Sequence, residues 1–405
     1  SYDDLHRNYP DWLMYGSETA SSVNSRGIYT NLNSAVLDQD KQLTSYDVSR
    51  VNWGALASEA WYDVITRDFV AGEYVWTGFD YIGEPTPANG IGRGAMTAWP
   101  SPKNSYFGIV DTAGFPKDSY YFYQSQWNDD KHTLHILPAW NENAVLTKGE
   151  DKKVEVVVYS DAAKVDLQLN GESLGVQEFE KKETDAGYSY KVVKGQNNHK
   201  GLYMTWKVPY KAGTLKAIAY DENGNVITDT DGRSEVKTTK SAARLVVKAD
   251  RANIKADGKD LSYVTVDVTD EDGNIIPDAK NEIKFSVEGV GEIVGVDNGS
   301  SPDHTPYNSL TRKAHAGKVL AIVKSGKKEG TVTVKAESQG LAEGTTVINT
   351  EAVAGAEEKN VIESFYMIKH YYVKTGNLPV LPETLTARYT DGKTAEEKVE
   401  WGRIS

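Results

Sequence analysis

The sequence contains no cysteine among its 405 residues. This absence excludes disulfide bonds, thiol catalysis and metal sites that depend on cysteine ligands. Basic residues are also in the minority, because 45 lysines and arginines stand against 58 aspartates and glutamates, with a formal net charge of −13. An acidic surface is unsuited to the phosphate backbone of a nucleic acid, so we expect no nucleic-acid partner.

Long apolar runs and histidine clusters are also missing. No stretch approaches the roughly 20 apolar residues of a membrane-spanning helix, so we expect no membrane span. Residues 1–4 have neither the basic stretch nor the apolar core of a signal peptide. The seven histidines are scattered, and no glycine-rich phosphate loop or Ser-His-Asp pattern is present. We therefore expect no metal and no cofactor.

The length predicts three or four domains. Most tryptophans and a mixture of helix and strand patterns lie before residue 130, whereas short alternating strands with Asn-Gly and Asp-Gly turns follow it. We divide the chain into a first segment (1–130), a second module (131–238), a third module (239–352) and a last part (353–405). The last part is a linker followed by a small β module that is short for a complete sandwich.

The first segment shows the pattern of a parallel α/β unit. A strand-like run at 12–15 ends in the turn at 16–18, and a helical stretch covers 55–65. A buried strand follows at 74–80, and 118–127 form a second helix. Two strand–helix units make at most half of a (β/α)8 barrel, and an isolated piece would leave open strand edges. We therefore expect the C-terminal part of a TIM barrel, whose other strands precede residue 1.

The second and third modules read as β-sandwiches. Val264, Val266 and Val268 alternate with polar residues, which indicates a strand with one buried face. The pair Asn170-Gly171 closes a tight hairpin in the second module. About seven short strands in the third module suggest an immunoglobulin-like sandwich.

Two residues at strand ends of the first segment are candidates for chemistry. Glu18 stands where a barrel would place its catalytic groups, and a carboxylate there can attack an anomeric carbon. Its alternative role is that of a solvated turn residue. Trp76 belongs to the second buried strand, and its indole can stack on the apolar face of a sugar ring. The alternative interpretation is that Trp76 is an ordinary tryptophan of the core.

Three further acids lie in the same segment, namely Asp80, Glu84 and Asp111. Each carboxylate can hold a sugar hydroxyl. Each can equally cap a helix or brace a loop, and the sequence leaves both alternatives open.

Several motifs together resemble glycoside hydrolase family 2. Residues 15–19 (YGSET) resemble its nucleophile segment, residues 74–85 (YVWTGFDYIGEP) its strand-eight motif, and residues 105–118 the segment that leads into the last barrel helix. Segments of the later modules resemble the β-domains of that family in the same order: 169–175, 208–215, 256–261 and 295–299. The chain thus resembles the C-terminal portion of family 2 β-galactosidases, in particular the large surface-attached enzymes of streptococci.

The resemblance implies a retaining exo-β-galactosidase that releases terminal β-linked galactose from oligosaccharides or glycans. Glu18 would be the nucleophile, while Trp76 and Asp80 would bind the sugar. A second glutamate, roughly 5–5.5 Å from the first, would act as acid/base. It would belong to an earlier barrel strand, so this chain needs the N-terminal part of the enzyme as its partner. The resemblance also implies secretion or attachment to the cell wall of a Gram-positive bacterium.

Alternatives remain at this stage. Ser21 occupies a position where the best-known bacterial β-galactosidases carry histidine, which argues against metal dependence of that type. β-Glucuronidases carry Asn-x-Lys before a Gly-Ile pair, whereas residues 105–107 (SYF) precede Gly108-Ile109 here. Another family 2 glycosidase, such as a β-glucuronidase or a β-mannosidase, is therefore the second choice. The alternative from a different class is a non-catalytic surface protein that binds glycans or spaces domains.

Overall fold

The computed structural model describes residues 1–32, 34, 36–83, 101–145, 147–148, 152–354, 361–367, 372–390 and 392–402. The candidate Glu84 and most of the linker after residue 354 lie outside these described residues. Within the described part of the chain, no helix combines the length and apolar character that crossing a membrane requires.

The first segment consists of α1 (Tyr2–Asn8), β1 (Met14–Ala20), α2 (Ala57–Ile65), β2 (Val70–Trp76) and α3 (Asp118–Trp127). Strands β1 and β2 pair in parallel, and α2 lies between them in the sequence as the crossover helix. The predicted helix at 118–127 is confirmed. The predicted bounds of both strands were wrong: β1 was expected at 12–15 and covers Met14–Ala20, and β2 was expected at 74–80 and covers Val70–Trp76. Pairing with β2 carries β1 on to Ala20.

The pairing between β1 and β2 contains a local irregularity just before the strand ends. Gly16 lies opposite Glu73, whereas Thr19 lies opposite Val75, so β1 has one more residue in this interval than β2. An extra residue in one strand is a β-bulge, which bends the strand and re-aims the side chains beside it. Glu18 lies inside this bulge.

The two faces of this small sheet differ in their surroundings. Met14 and Gly16 are buried, and Val75 packs against an aromatic cluster that includes Phe122 of α3. On the opposite face, Tyr15 and Tyr74 are 61% and 68% exposed and contact each other edge to face at 6.0 Å. One face is therefore covered by helices, and the other is an exposed aromatic surface.

The second module is a two-layered β structure. One sheet has the strand order β12-β10-β6-β7-β8, and the other has the order β11-β3-β5-β4 with β9 beside β5. The bounds are β3 (His132–Leu137), β4 (Thr147–Lys148), β5 (Lys153–Ser160), β6 (Lys164–Leu169), β7 (Glu172–Glu183), β8 (Ser189–Val193), β9 (Met204–Pro209), β10 (Thr214–Tyr220), β11 (Thr230–Asp231) and β12 (Glu235–Lys237). Two 3₁₀ turns cover Glu142–Ala144 and His199–Leu202.

The core and the hairpin of the second module follow the sequence pattern. Val154, Val156 and Val158 are completely buried and belong to one apolar cluster with Leu167. Asn170 and Gly171 both have positive φ, of 52° and 85°, which a tight turn between twisted strands requires.

The third module has two sheets, in the orders β13-β15-β19-β17 and β14-β21-β20-β16-β18. Its strands are β13 (Arg244–Ala249), β14 (Asn253–Lys255), β15 (Leu261–Thr269), β16 (Glu282–Gly289), β17 (Gly291–Asp297), β18 (Thr311–Lys313), β19 (Lys318–Ser325), β20 (Gly330–Glu337) and β21 (Gly344–Glu351). Val264, Val266 and Val268 are completely buried, as their alternation predicts. The strands outnumber the expected seven because β14 and β18, of three residues each, carry little sequence signal.

The last part forms a three-stranded antiparallel sheet of β22 (Ile362–Tyr366), β23 (Thr384–Tyr389) and β24 (Thr394–Lys398). Every residue of β22 is exposed, whereas Ala387 in the central strand is completely buried.

The third module docks onto the first segment through the buried side chain of Arg26. Its Nε donates to Asp111 Oδ2 at 2.7 Å, and its Nη2 donates to the carbonyl oxygens of Asn298 at 2.9 Å and His315 at 3.0 Å. Gly299 approaches so closely that a Cβ there would lie 2.0 Å from Asp111 Oδ2. We call this cluster of five residues the Arg26 junction.

Further contacts surround the Arg26 junction. Thr112 Oγ1 donates to Asp297 Oδ2 at 2.7 Å, the backbone N–H of Lys103 donates to Ser301 O at 2.8 Å, and Ser301 Oγ donates to Ser105 O at 3.1 Å. A small apolar cluster joins the same two parts of the chain, and it comprises Ala113, Phe115, Leu320 and Ile322. The third module thus holds the loops that follow β1 and β2.

We predict that Arg26→Ala lowers the free energy of unfolding by about 3–5 kcal/mol, because it leaves the carboxylate of Asp111 buried without its counter-ion. Arg388→Ala is the control, since the ion pair of Arg388 with Glu363 is exposed and should contribute less than about 1 kcal/mol. Denaturant unfolding of both variants is the measurement. Equal losses in the two variants would contradict the role of the Arg26 junction.

Candidate active site

Strands β1 and β2 end side by side, with Ala20 opposite Trp76. Because the strands are parallel, both C-terminal ends lie at the same edge of the sheet. Glu18 is exposed two residues before the end of β1, and Trp76 is the 40% exposed last residue of β2. The structure therefore brings these two sequence candidates to neighbouring strand ends.

The backbone after Glu18 has an uncommon conformation. Ala20 and Ser21 both have left-handed φ angles, of 59° and 55°, which side-chain-bearing residues rarely adopt. The carbonyl oxygen of Ala20 accepts a hydrogen bond from Ala55 N at 2.6 Å, which helps to hold this bend. Backbone strain of this kind is concentrated at functional sites and needs support from surrounding structure.

The chain after Trp76 is held by pairing with a second loop. The Trp76–Thr77 peptide bond is cis, and the indole of Trp76 contacts Tyr81 edge to face at 5.9 Å. The N–H of Thr77 donates to Phe107 O at 3.2 Å, and the N–H of Ile109 donates back to Thr77 O at 3.0 Å. Trp76 is therefore positioned by a bridge between the loops at 77–82 and 104–110.

Asp80 is buried within this bridge. Its Oδ2 forms an ion pair with Lys117 Nζ at 2.7 Å, and its Oδ1 accepts from Gly108 N at 2.7 Å and from Ser105 Oγ at 3.3 Å. Burial raises the pKa of Asp80 to about 6, although Lys117 and Gly108 oppose this shift. Both oxygens of Asp80 contact protein donors, as expected for a residue that braces a loop. A contact between Asp80 and a sugar stays a prediction.

Lys117 connects the two strand ends through one ammonium group. Its side chain is 1% exposed, and Nζ donates to Asn24 O at 2.8 Å in the loop after β1. The same atom pairs with Asp80 in the loop after β2. Lys117 is not recognisable from the sequence as a site residue, because no periodicity marks a lysine that is buried just before a helix.

Asp111 also braces a loop. In addition to Arg26, it contacts backbone donors, since its Oδ1 accepts from Ala113 N at 2.9 Å and from Phe115 N at 3.0 Å. This arrangement closes the turn that precedes α3. Asp111 therefore braces the turn that leads into α3 and joins it to Arg26 in the loop after β1.

One buried histidine contacts the last helix of the first segment. The buried His135 lies with Nε2 2.5 Å from Asp118 Oδ1, and Tyr29 donates to the other oxygen of Asp118 at 2.6 Å. This contact joins α3 to the second module. Among the described residues, no three side chains of metal-ligating type come together.

Two family models match the chain. Residues 245–347 match "Glycoside hydrolase family 2 C-terminal domain 5", and residues 151–228 match a domain of unknown function (DUF4982). These matches cover most of the third and second modules.

Glycosidases are similar to this chain over more residues than the two family models cover. The chain is 37% identical over 355 residues to the β-galactosidase BoGH2A of Bacteroides ovatus, a match that covers 85% of this chain and 37% of the relative. It is 26% identical to a β-glucuronidase of Formosa agariphila, over 58% of this chain and 21% of that protein. The fold matches a β-glycosidase from Bacteroides vulgatus with a TM-score of 0.69 and 23% identity, over 86% of this chain and 43% of the other. The chain thus spans less than half the length of each of these proteins.

We predict that the ion pair between Asp80 and Lys117 stabilises the fold. Asp80→Asn and Lys117→Met should each cost about 3–5 kcal/mol of unfolding free energy, since each leaves a buried partner unpaired. The double variant should lose clearly less than the sum of the two single losses. Denaturant unfolding measures this cycle. Additive losses, or an Asp80→Asn variant as stable as the parent, would show that Asp80 does not brace the loop.

Proposed function

Because this chain carries a C-terminal domain of glycoside hydrolase family 2, we propose that the whole protein is a retaining β-galactosidase and that this chain is its C-terminal portion. The first segment then supplies the last strands and helices of a (β/α)8 barrel. The observation that carries this proposal is the position of the exposed Glu18 beside Trp76, at the adjacent ends of parallel strands. Catalytic groups of (β/α)8 enzymes lie at this end of the strands.

In the proposed reaction, the carboxylate of Glu18 attacks the anomeric carbon while the bond to the leaving oxygen breaks. A second glutamate gives a proton to the leaving oxygen and later takes one from the water that releases the sugar. The side chain of Glu18 is exposed and forms no hydrogen bond or ion pair with another described residue, so its carboxylate is available. The second glutamate belongs to a barrel strand upstream of this chain.

The exposed face of β1 and β2 supports the proposal that an N-terminal part of the enzyme packs against this chain. Tyr15 and Tyr74 are 61% and 68% exposed and contact each other, and Leu13, just before β1, is 91% exposed. A contiguous apolar face of this kind is typical of a surface that another part of the protein covers. In the whole enzyme, the preceding barrel strands would cover it, and Trp76 would form a wall of the sugar subsite.

Phe107 favours a neutral sugar over a glucuronic acid. It occupies the position where the β-glucuronidase motif has its lysine, and its ring is buried in a cluster with Val23 and Leu43. The buried cations Lys117 and Arg26 are already paired with carboxylates. A sugar carboxylate would need a free cation, so these contacts support galactose as the substrate. Export from the cell stays a prediction from the resemblance alone.

We expect Glu18→Gln in the full-length protein to reduce the kcat for an aryl β-galactoside by about 10³-fold or more, because the amide cannot form the covalent intermediate. Glu142→Gln is the control, since Glu142 is an exposed residue of the second module. Steady-state hydrolysis with a chromogenic substrate is the measurement. Retention of activity within tenfold would exclude Glu18 as the nucleophile.

We expect the parent enzyme to hydrolyse an aryl β-galactoside with a kcat/KM at least ~10²-fold above that for the matching β-glucuronide. The reason is that a buried phenylalanine cannot compensate the charge of a sugar carboxylate. Both substrates are compared under the same conditions. A preference for the glucuronide would reject galactose while leaving Glu18 as the nucleophile.

A further inference from the structure

A largely buried carboxyl group lies next to the bulge that carries Glu18. Glu73 of β2 shares the helix-facing side of the sheet with Val75, and its Oε2 lies in hydrogen-bond contact with the hydroxyl of Thr19 at 2.6 Å. Its other oxygen, Oε1, is buried and has no hydrogen-bond partner among the described residues. Burial without a cation is an unusual environment for a glutamate.

Thr19 links this carboxyl group to the bulge. It follows Glu18 directly, and it is the residue at which the regular pairing with β2 resumes. Its Cγ2 lies 2.2 Å from the point where a Cβ on Gly16 would be placed, so the glycine makes room for the threonine. The side chain of Thr19 therefore packs over Gly16 at the start of the bulge and contacts β2 through Glu73 and Tyr74.

The contacts of Thr19 indicate the protonation state of Glu73. Thr19 Oγ1 lies 3.2 Å from the carbonyl oxygen of Tyr74 as well as 2.6 Å from Glu73 Oε2. A hydroxyl has one proton and cannot donate fully to two acceptors. Both contacts are satisfied when Glu73 carries a proton and donates it to Oγ1, which then donates to Tyr74.

The groups around Glu73 are consistent with a proton on its carboxyl. Burial raises its pKa to about 7, while the Thr19 hydroxyl lowers it and the negative charge of Asp63 on α2 raises it further. The hydroxyls of Tyr2 on α1 and Tyr123 on α3 face the same region: burial raises the pKa of both, and the charge of ionised Glu73 raises it further.

A nearby cation, Arg67, is paired with other carboxylates. It forms ion pairs with Asp3 and with Asp63, both at 2.8 Å. Its charge is therefore compensated by two other carboxylates, and the neutral form of Glu73 is favoured below its pKa of about 7.

We propose that Glu73 is a positioning residue for Glu18: its carboxyl proton and the Thr19 hydroxyl form a relay to Tyr74 O that fixes the bulge presenting the nucleophile. This proposal rests on the proposed role of Glu18. Loss of the proton leaves two acceptors facing one hydroxyl, so the orientation of the bulge weakens as the pH rises through the pKa of Glu73.

The same proton affects folding. Its pKa is about 7 in the fold against 4.5 for the free side chain, so between these values the folded state binds more protons than the unfolded state. The unfolding free energy therefore falls as the pH rises through this window. Glu73→Gln keeps a donor at this position without an ionisable group.

The activity test compares Glu73→Gln with the parent in the full-length protein between pH 5 and 9. The ratio of kcat for the variant to that for the parent should rise several-fold as the pH passes about 7, and the ratio for the control Glu142→Gln should stay flat. Thr19→Val should reduce kcat about tenfold or more with little change in KM, and Thr19→Ser should restore it. A flat ratio for Glu73→Gln, or a Thr19→Val variant with parental kcat, would overturn the proposal.

A stability measurement separates this proposal from the proposed function. The thermal midpoint of Glu73→Gln relative to the parent should increase from pH 4.5 to 7, whatever the enzyme hydrolyses. An inactive parent with this increase would reject the function and retain the protonated carboxyl. An active parent whose thermal difference does not change with pH would overturn the role of Glu73 and leave the function standing.

Discussion

The arrangement of the strand ends depends on the contacts of one ammonium group, that of Lys117. It pairs with Asp80 at 2.7 Å and donates to Asn24 O at 2.8 Å, and therefore ties together the loops that follow β2 and β1. Both charges are removed from water, which is unfavourable unless each charge keeps its partner and its hydrogen bonds. Gly108 N and Ser105 Oγ complete the shell of Asp80. The positions of Glu18 and Trp76 follow from this cross-link together with the parallel pairing of β1 and β2.

The Arg26 junction extends this support into the third module. Arg26 reaches Asp111 in the first segment and two backbone carbonyls beyond residue 297, so a β-sandwich far along the chain helps to hold the loops of the strand ends. A module that only spaces domains has no need of a buried charge at its boundary. Gly299 of the third module lies so close to Asp111 that a larger residue would clash with its carboxylate, which shows that the two parts are tightly packed. The third module is thus an integral part of the scaffold around the candidate site.

Local patterns predicted much of the fold. The helix at Asp118–Trp127, the buried valines of β15 and the Asn170-Gly171 turn all follow from short-range chemistry, and the structure confirms them. The predicted end of β1 was wrong, because residues 16–20 continue the strand only through their pairing with β2. The acidic residues show most clearly what local patterns fail to predict. Asp80 and Asp111 are both available for sugar binding by sequence position, yet in the fold each contacts a buried cation and backbone donors.

By itself, the sequence determined the succession of α/β segment and β modules, the motif around Glu18 and the presence of Trp76 after an apolar run, since these depend on residue type and local spacing. Only the tertiary structure decided which acids are exposed and which are buried in pairs. It also placed Glu73 behind Thr19, 54 residues away in the sequence, and joined Arg26 to the third module. The physical reason is that burial and pairing of charges arise from contacts between distant segments, and neither periodicity nor composition encodes these contacts locally.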